Sequence, residues 1–129
     1  MVIDTSALIA ILAQEPEAQL FSERIERDAV RLLSAANYVE TSIVTAGKTG
    51  LQGIDDLEKL LGLMRTELVP VTAAQARSAA QAHLRFGQGH HPARLNFGDC
   101  FAYALAMECG EPLLFKGEDF AQTDVARCR

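Results

Sequence analysis

The chain has 129 residues, enough for one ordinary domain with a real core and too few for two. Apolar residues make up 49% of it and aromatics only 6%, with no Trp, so the core has to be built from Ala, Leu, Ile and Val, which favours helices against a small sheet. A formal net charge of −5 excludes any general electrostatic attraction to nucleic acid, so a polyanion has to be handled locally, with a bound cation or a partner subunit supplying the missing positive field.

The opening MVIDTSALIAIL predicts a short buried strand at Val2 and Ile3, then a helix whose inner face carries Ala7, Leu8, Ile11 and Leu12. Asp4 falls where that strand ends and the helix begins, the place where ligands bind in open α/β sheets. Asp4, Thr5 or Ser6 can equally cap the helix, because side-chain oxygens of these types accept its first free N–H groups. From Pro16, PEAQLFSERIERD spaces Leu20, Phe21 and Ile25 as an amphipathic helix opened by proline. VRLLS is a second strand. Asn37 to Gly47 returns to helical spacing through Val39, Ile43 and Val44 and ends in the glycine-rich GKTGLQG. The next helix has Asp55 and Asp56 in its first turn and Leu57, Leu60, Leu61 and Met64 on one face. ELVPV is a third strand, with Pro70 marking its end or an edge position. AAQARSAAQAHLRF is a helix broken by GQGHHP. A last helix runs from Phe97 to Cys109, stops at Gly110 and Pro112, and leads into a buried strand from Leu113 to Phe115. Strands alternating with helices predict a single α/β domain over residues 1–129, with a small, mainly parallel sheet flanked by helices.

Two compartment signals agree. The odd cysteine set, Cys100, Cys109 and Cys128, stands at unrelated spacings and suits a reducing cytosol. No apolar stretch reaches the roughly 18 residues of a membrane span, and the N-terminus lacks the basic region of a signal peptide, so a cytoplasmic protein is expected.

Acidic residues recur where parallel strands end: Asp4 after the first, Glu40 in the helix after the second, Asp99 at the start of the last helix and Asp119 after the last strand. At about 4 Å, two like charges repel by about 4 kcal/mol in an effective dielectric near 20, so such a group calls for a counter-charge. A divalent cation is the economical one, and hard oxygen ligands select Mg²⁺ or Mn²⁺. Other motifs carry less. TAGKTG ends like a phosphate-binding loop, but the required first glycine falls at Ser42 and the segment follows a helix. His90 and His91 are adjacent in a loop and cannot share one helical face. Arg85, Arg94 and Lys116 are available for phosphate contacts, with scattered surface charge as the plainer reading.

VIDTSALIAIL, ANYVETS and above all LNFGDCFAYALA followed by PLLFKGEDF and TDV, in that order over nearly the whole chain, resemble the PIN-domain ribonucleases, specifically the VapC-type toxins. The resemblance implies a PIN-like fold and a Mg²⁺- or Mn²⁺-dependent endoribonuclease. It makes Asp4, Glu40 and Asp99 the acidic core, with Asp4 and Asp99 as direct metal ligands. It further implies a structured RNA substrate such as tRNA or rRNA, an inhibitory VapB-type antitoxin and a homodimer. Many relatives carry an aspartate two residues before an Asp-Phe pair, where this chain has Gly117. Asp119 ranks first as the substitute acid, with Glu118 a supporting or alternative group; Asp124 can contribute instead, with a capping or surface role as its plainer reading. Thr5 and Ser6 have two compatible roles, capping the first helix and orienting metal-bound water. The rival readings are a PIN-like RNA- or protein-binding module that has lost catalysis, and a phosphatase with Asp4 as nucleophile. The second aspartate usual in such phosphatases is here Ser6.

Overall fold

The computed structural model describes residues 1–128. Strand β1 (Val2–Ile3) lies inside a four-stranded sheet of order β3-β2-β1-β4, where β2 is Leu32–Ser34, β3 is Glu67–Val69 and β4 is Leu113–Leu114. Every pairing is parallel. Val2 stands opposite Leu32 and Leu113, Ile3 opposite Leu114, and Ser34 opposite Val69. The edge position read from Pro70 holds, since β3 is an outer strand.

Period-two alternation sends successive strand residues to opposite faces, and two cores result. Val2, Leu113 and Phe115 pack with helices α5 (Ala73–Phe86) and α6 (Phe97–Cys109). Ile3, Leu33 and Leu114 pack on the other face with α1 (Thr5–Leu12), α2 (Ala18–Arg27) and α4 (Leu51–Leu63). A parallel sheet covered on both faces carries near-continuous apolar strands, as these are. Residues beyond β4 return alongside it, with Leu113 N–H donating to Ala126 O at 2.8 Å and Cys128 N–H to Leu113 O at 2.9 Å.

Helix α3 (Ala35–Thr49) departs from expectation in two ways. It runs through Gly47 and Lys48, so GKT is helical and cradles nothing; the break comes at Gly50, whose φ is +63°. Because α4 opens at Leu51, Asp55 and Asp56 lie past its first turn. The α3 face is also inverted. Val39 and Ile43 are 53% and 67% exposed, whereas Asn37 and Thr41 are fully buried. The packing supplies the reason: a Cβ on Gly53 would lie 2.5 Å from the carbonyl oxygen of Thr45, so α3 and α4 meet backbone to backbone. The threonine stripe suits that close approach, and it leaves the branched apolar residues facing outward.

Candidate active site

Asp4 caps α1, accepting the Ser6 N–H on Oδ2 at 2.9 Å, so the hydroxyls of Thr5 and Ser6 do not cap this helix. Thr5 is buried and donates to the Asn37 carbonyl at 3.4 Å, while Ser6 Oγ accepts the Lys116 N–H at 3.0 Å, tying α1 to the chain leaving β4. Capping occupies one oxygen of Asp4. The other, Oδ1, is buried with no hydrogen-bond partner.

Asp99 repeats the arrangement on α6. Its Oδ2 accepts the Asn96 N–H at 3.0 Å and its own N–H donates to Asn96 Oδ1 at 2.9 Å, a reciprocal capping box. Asn96 therefore caps α6. Burial raises the Asp99 carboxyl to about 7, and the charges of Asp4, Asp119 and Glu40 add to the rise against the Asn96 N–H. Asp4 is raised to about 6, again mainly by burial, with Glu40 contributing and Ser6 opposing. The charges of Asp4, Glu40 and Asp119 thus all reach Asp99 at the carboxyl end of the sheet.

Glu40 lies on α3 against the first turn of α6. The buried Asn37 side chain donates from Nδ2 to Glu40 Oε1 at 3.3 Å and to the Gly98 carbonyl at 2.9 Å. A Cβ on Gly98 would stand 1.8 Å from Glu40 Oε2, so only glycine leaves room for this carboxylate. Reading the sequence missed Asn37. The signal available was the i, i+4, i+8 spacing of Asn37, Thr41 and Thr45, a polar stripe on the face opposite the apolar residues.

After β4 the chain turns at Gly117 with φ +97°, a conformation that an aspartate adopts only under strain. The turn accounts for glycine at this position. Asp119 and Glu118 are exposed beyond it, and only Asp119 is among the charges that raise Asp99. Asp124 is engaged elsewhere: Tyr103 OH donates to its Oδ1 at 2.5 Å and Arg85 lies 3.6 Å from Oδ2. Lys116 is likewise occupied, with Glu15 at 2.6 Å and Glu17 at 3.2 Å. His90 is exposed, whereas His91 Nδ1 accepts the Ala93 N–H at 3.0 Å and its ring meets Phe86 edge to face. The buried Cys100 and exposed Cys109 both carry free thiols on opposite faces of α6.

The donor set suits a hard divalent cation. Asp4 offers an unpaired buried oxygen, and burial, with neighbouring negative charge adding to it, keeps Asp99 above its ordinary range. Among the described residues no three His, Cys, Asp or Glu side chains converge closely enough to hold an ion together. Mg²⁺ keeps most of its waters and is commonly held by one or two carboxylates together with substrate phosphate, so a site of this kind does not need three converging side chains.

A sequence model of the family described as the PIN domain matches residues 1–126, so this chain belongs to the PIN-domain family. Ribonuclease VapC of Mycolicibacterium smegmatis is 52% identical over 126 residues, covering 98% of each chain. Within the family this chain is a toxin ribonuclease of the VapC kind. The fold is similar to that of Mycobacterium tuberculosis VapC20, a sarcin-ricin loop cleaving toxin, with TM-score 0.79 and 17% identity over 97% of this chain and 95% of that one. A toxin-antitoxin complex from Klebsiella pneumoniae contains a chain similar at TM-score 0.71 and 17% identity, over 95% of this chain and 92% of that one.

Proposed function

We propose that the chain cleaves RNA phosphodiester bonds by divalent-cation-dependent attack of water, with Asp4 and Asp99 holding Mg²⁺ or Mn²⁺. The observation that carries this reading is the buried, unpartnered Oδ1 of Asp4, beside a second carboxyl driven upward by burial and like charge. When bound, such an ion lowers the pKa of water and offsets charge on the phosphate oxygens. Glu40 holds the attacking water and takes its proton. Asp119, with Glu118 in support, adds negative charge from the loop after β4. Thr5 fixes α1 against the Asn37 carbonyl and Ser6 fixes the Lys116 backbone, keeping Asp4 in register with Glu40 and Asp119. No covalent intermediate is needed.

The substrate is a structured RNA such as tRNA or rRNA, met in the cytoplasm; no helix among the described residues is long and apolar enough to cross a membrane. A cognate VapB-type antitoxin inhibits by presenting an arginine whose planar fork pairs with the acids and displaces the cation. A homodimer covers the outward apolar face shared by α3 and the start of α6, where Val39 and Ile43 of α3 and Phe97 of α6 are 53%, 67% and 80% exposed and line a groove of about 240 Å³ with Val44 and Phe101.

The deciding experiment is an RNA cleavage assay on the purified chain, free of antitoxin, with Mg²⁺, Mn²⁺ or chelator. Cleavage that requires the ion and disappears in Asp4→Asn is the expected result. Intact RNA binding with no cleavage under any divalent ion would assign the chain to the binding-module alternative. Ile43→Asp and Phe97→Asp should convert a dimer to monomer in sedimentation, and unchanged sedimentation would remove the dimer.

A further inference from the structure

Glu40 carries the longer and more mobile kind of carboxylate side chain, and a group that presents water in one direction has to be held. Asn37 precedes it by nearly one turn of α3 and is fully buried. The Gly98 carbonyl can only accept, so the amide atom facing it at 2.9 Å has to be the NH₂ group, and the second amide proton is then directed at Glu40 Oε1, 3.3 Å away. The backbone of Asn37 is fixed as well, since its carbonyl accepts hydroxyl protons from Thr41 at 2.7 Å and from Thr5 at 3.4 Å.

Asn37 gains little for itself from this position. Its Oδ1 is buried with no partner, an arrangement that costs stability and that an apolar residue would avoid. The two amide protons are spent joining α3 to α6. Resting on the reading of Glu40 as the group that handles the attacking water, we propose that Asn37 is a positioning residue that pins the Glu40 carboxylate to the first turn of α6, beside Asp99. One oxygen of Glu40 is held by the amide, and the other occupies the space left by the missing Cβ of Gly98. Without the amide, Glu40 is free to turn among its staggered rotamers, and water is no longer presented in one direction.

Asn37→Ala and Asn37→Ser, measured against Glu40→Gln, test this with two readouts. In cleavage of RNA at saturating divalent cation, kcat should fall about 10- to 100-fold in both Asn37 variants. KM and the Mn²⁺ affinity measured by calorimetry should stay within about twofold, which general damage to the site would not allow. In ¹⁵N–¹H spectra of the intact protein, the Asn37 side-chain amide pair should shift in Glu40→Gln and stay in place in Glu118→Gln. An amide pair indifferent to Glu40→Gln, or an unchanged kcat in either Asn37 variant, would overturn the proposal. So would a rise in KM with kcat intact. Should the alanine variant fail to fold, the serine variant and the amide signals decide. Full activity in Glu40→Gln would remove the role of Glu40 itself, and the amide shift still reports the contact, so the two failures are told apart.

Discussion

Helices α3 and α6 stand against each other at the same end of the sheet, and each delivers an acid to the site, but they are built on opposite plans. The buried side of α6 is apolar, with Ala102, Tyr103, Leu105 and Ala106 all 5% exposed or less, and its acid sits at its capped start. The buried side of α3 is Asn37, Thr41 and Thr45, and its apolar residues face out. One helix is a pillar of the core that happens to begin at the site. The other devotes its interior to hydrogen bonds, among them those of Asn37 to Glu40 and Gly98, and leaves Val39 and Ile43 exposed. Burial alone therefore does not mark a residue as a stability residue here.

The most severe way to break this comparison is at the acids. Asp99→Asn on α6 and Asp4→Asn at the start of α1 should each reduce cation-dependent cleavage by about 10²- to 10⁴-fold. Both should leave the fold intact, because asparagine caps α1 at position 4 as well as aspartate does, and at position 99 its amide oxygen can still accept the Asn96 N–H. A large loss of thermal stability in either would mean that the capping oxygen dominates. Gly98→Ala acts where the two helices touch: the new methyl group competes with Glu40 Oε2, and cleavage should fall about 10- to 100-fold with little change in helix content by circular dichroism.

Stability separates the helices next. Leu105→Ala on α6, fully buried in the parent, should cost about 2–5 kcal/mol in urea unfolding. Ile43→Ala on α3, 67% exposed, should change the stability of the monomer by no more than about 0.5 kcal/mol. Equal costs would erase the distinction.

The carboxyl shifts give a gentler test. Asp4 and Asp99 titrate near 6 and 7 when folded, above the ordinary 3.8, so the folded chain binds more protons than the unfolded chain between about pH 4 and 7. Without divalent cation, stability contributed by these groups is present below pH 4 and is lost as pH rises through 6 and 7. Asp4→Asn should remove a share on the order of 2 kcal/mol, seen as a gap from the parent that widens from pH 4 to 7 in melts with chelator. Added Mg²⁺ should narrow it at pH 7. The smallest effect is expected in the loop after β4, where Asp119→Asn should weaken cleavage a few-fold at limiting Mg²⁺, more than Glu118→Gln or Asp124→Asn. Three variants equal to the parent would leave three working acids.

Legibility in the sequence divides along the same line. Helix α6 can be read to its termini, because Asn96, Gly110 and Pro112 punctuate a run of apolar residues. The α3 spacing correctly marks a helix, but periodicity does not say which face is inward, and the polar stripe reads as surface until α1 and α4 are seen to cover it. For Asp4, capping and an acidic-site position are alternatives in the sequence. In the fold they are compatible, since a carboxylate has two oxygens and the cap uses one. The loop after β4 is least readable, because a glycine fixed by φ +97° carries no side chain to announce what its neighbours do.

The pairing of β1 with β4 has a consequence in time. Val2 and Ile3 find one of their two neighbouring strands 111 residues later, at Leu113 and Leu114. Contacts so distant in sequence form late, and a ribosome adding about 5–20 residues per second takes on the order of ten seconds to reach them. Asp119 emerges later still. A growing chain therefore carries Asp4, and then Glu40, without the strand that closes the sheet beside them until Leu113 and Leu114 have been made, so the acids of the site are brought together only after that pairing is possible.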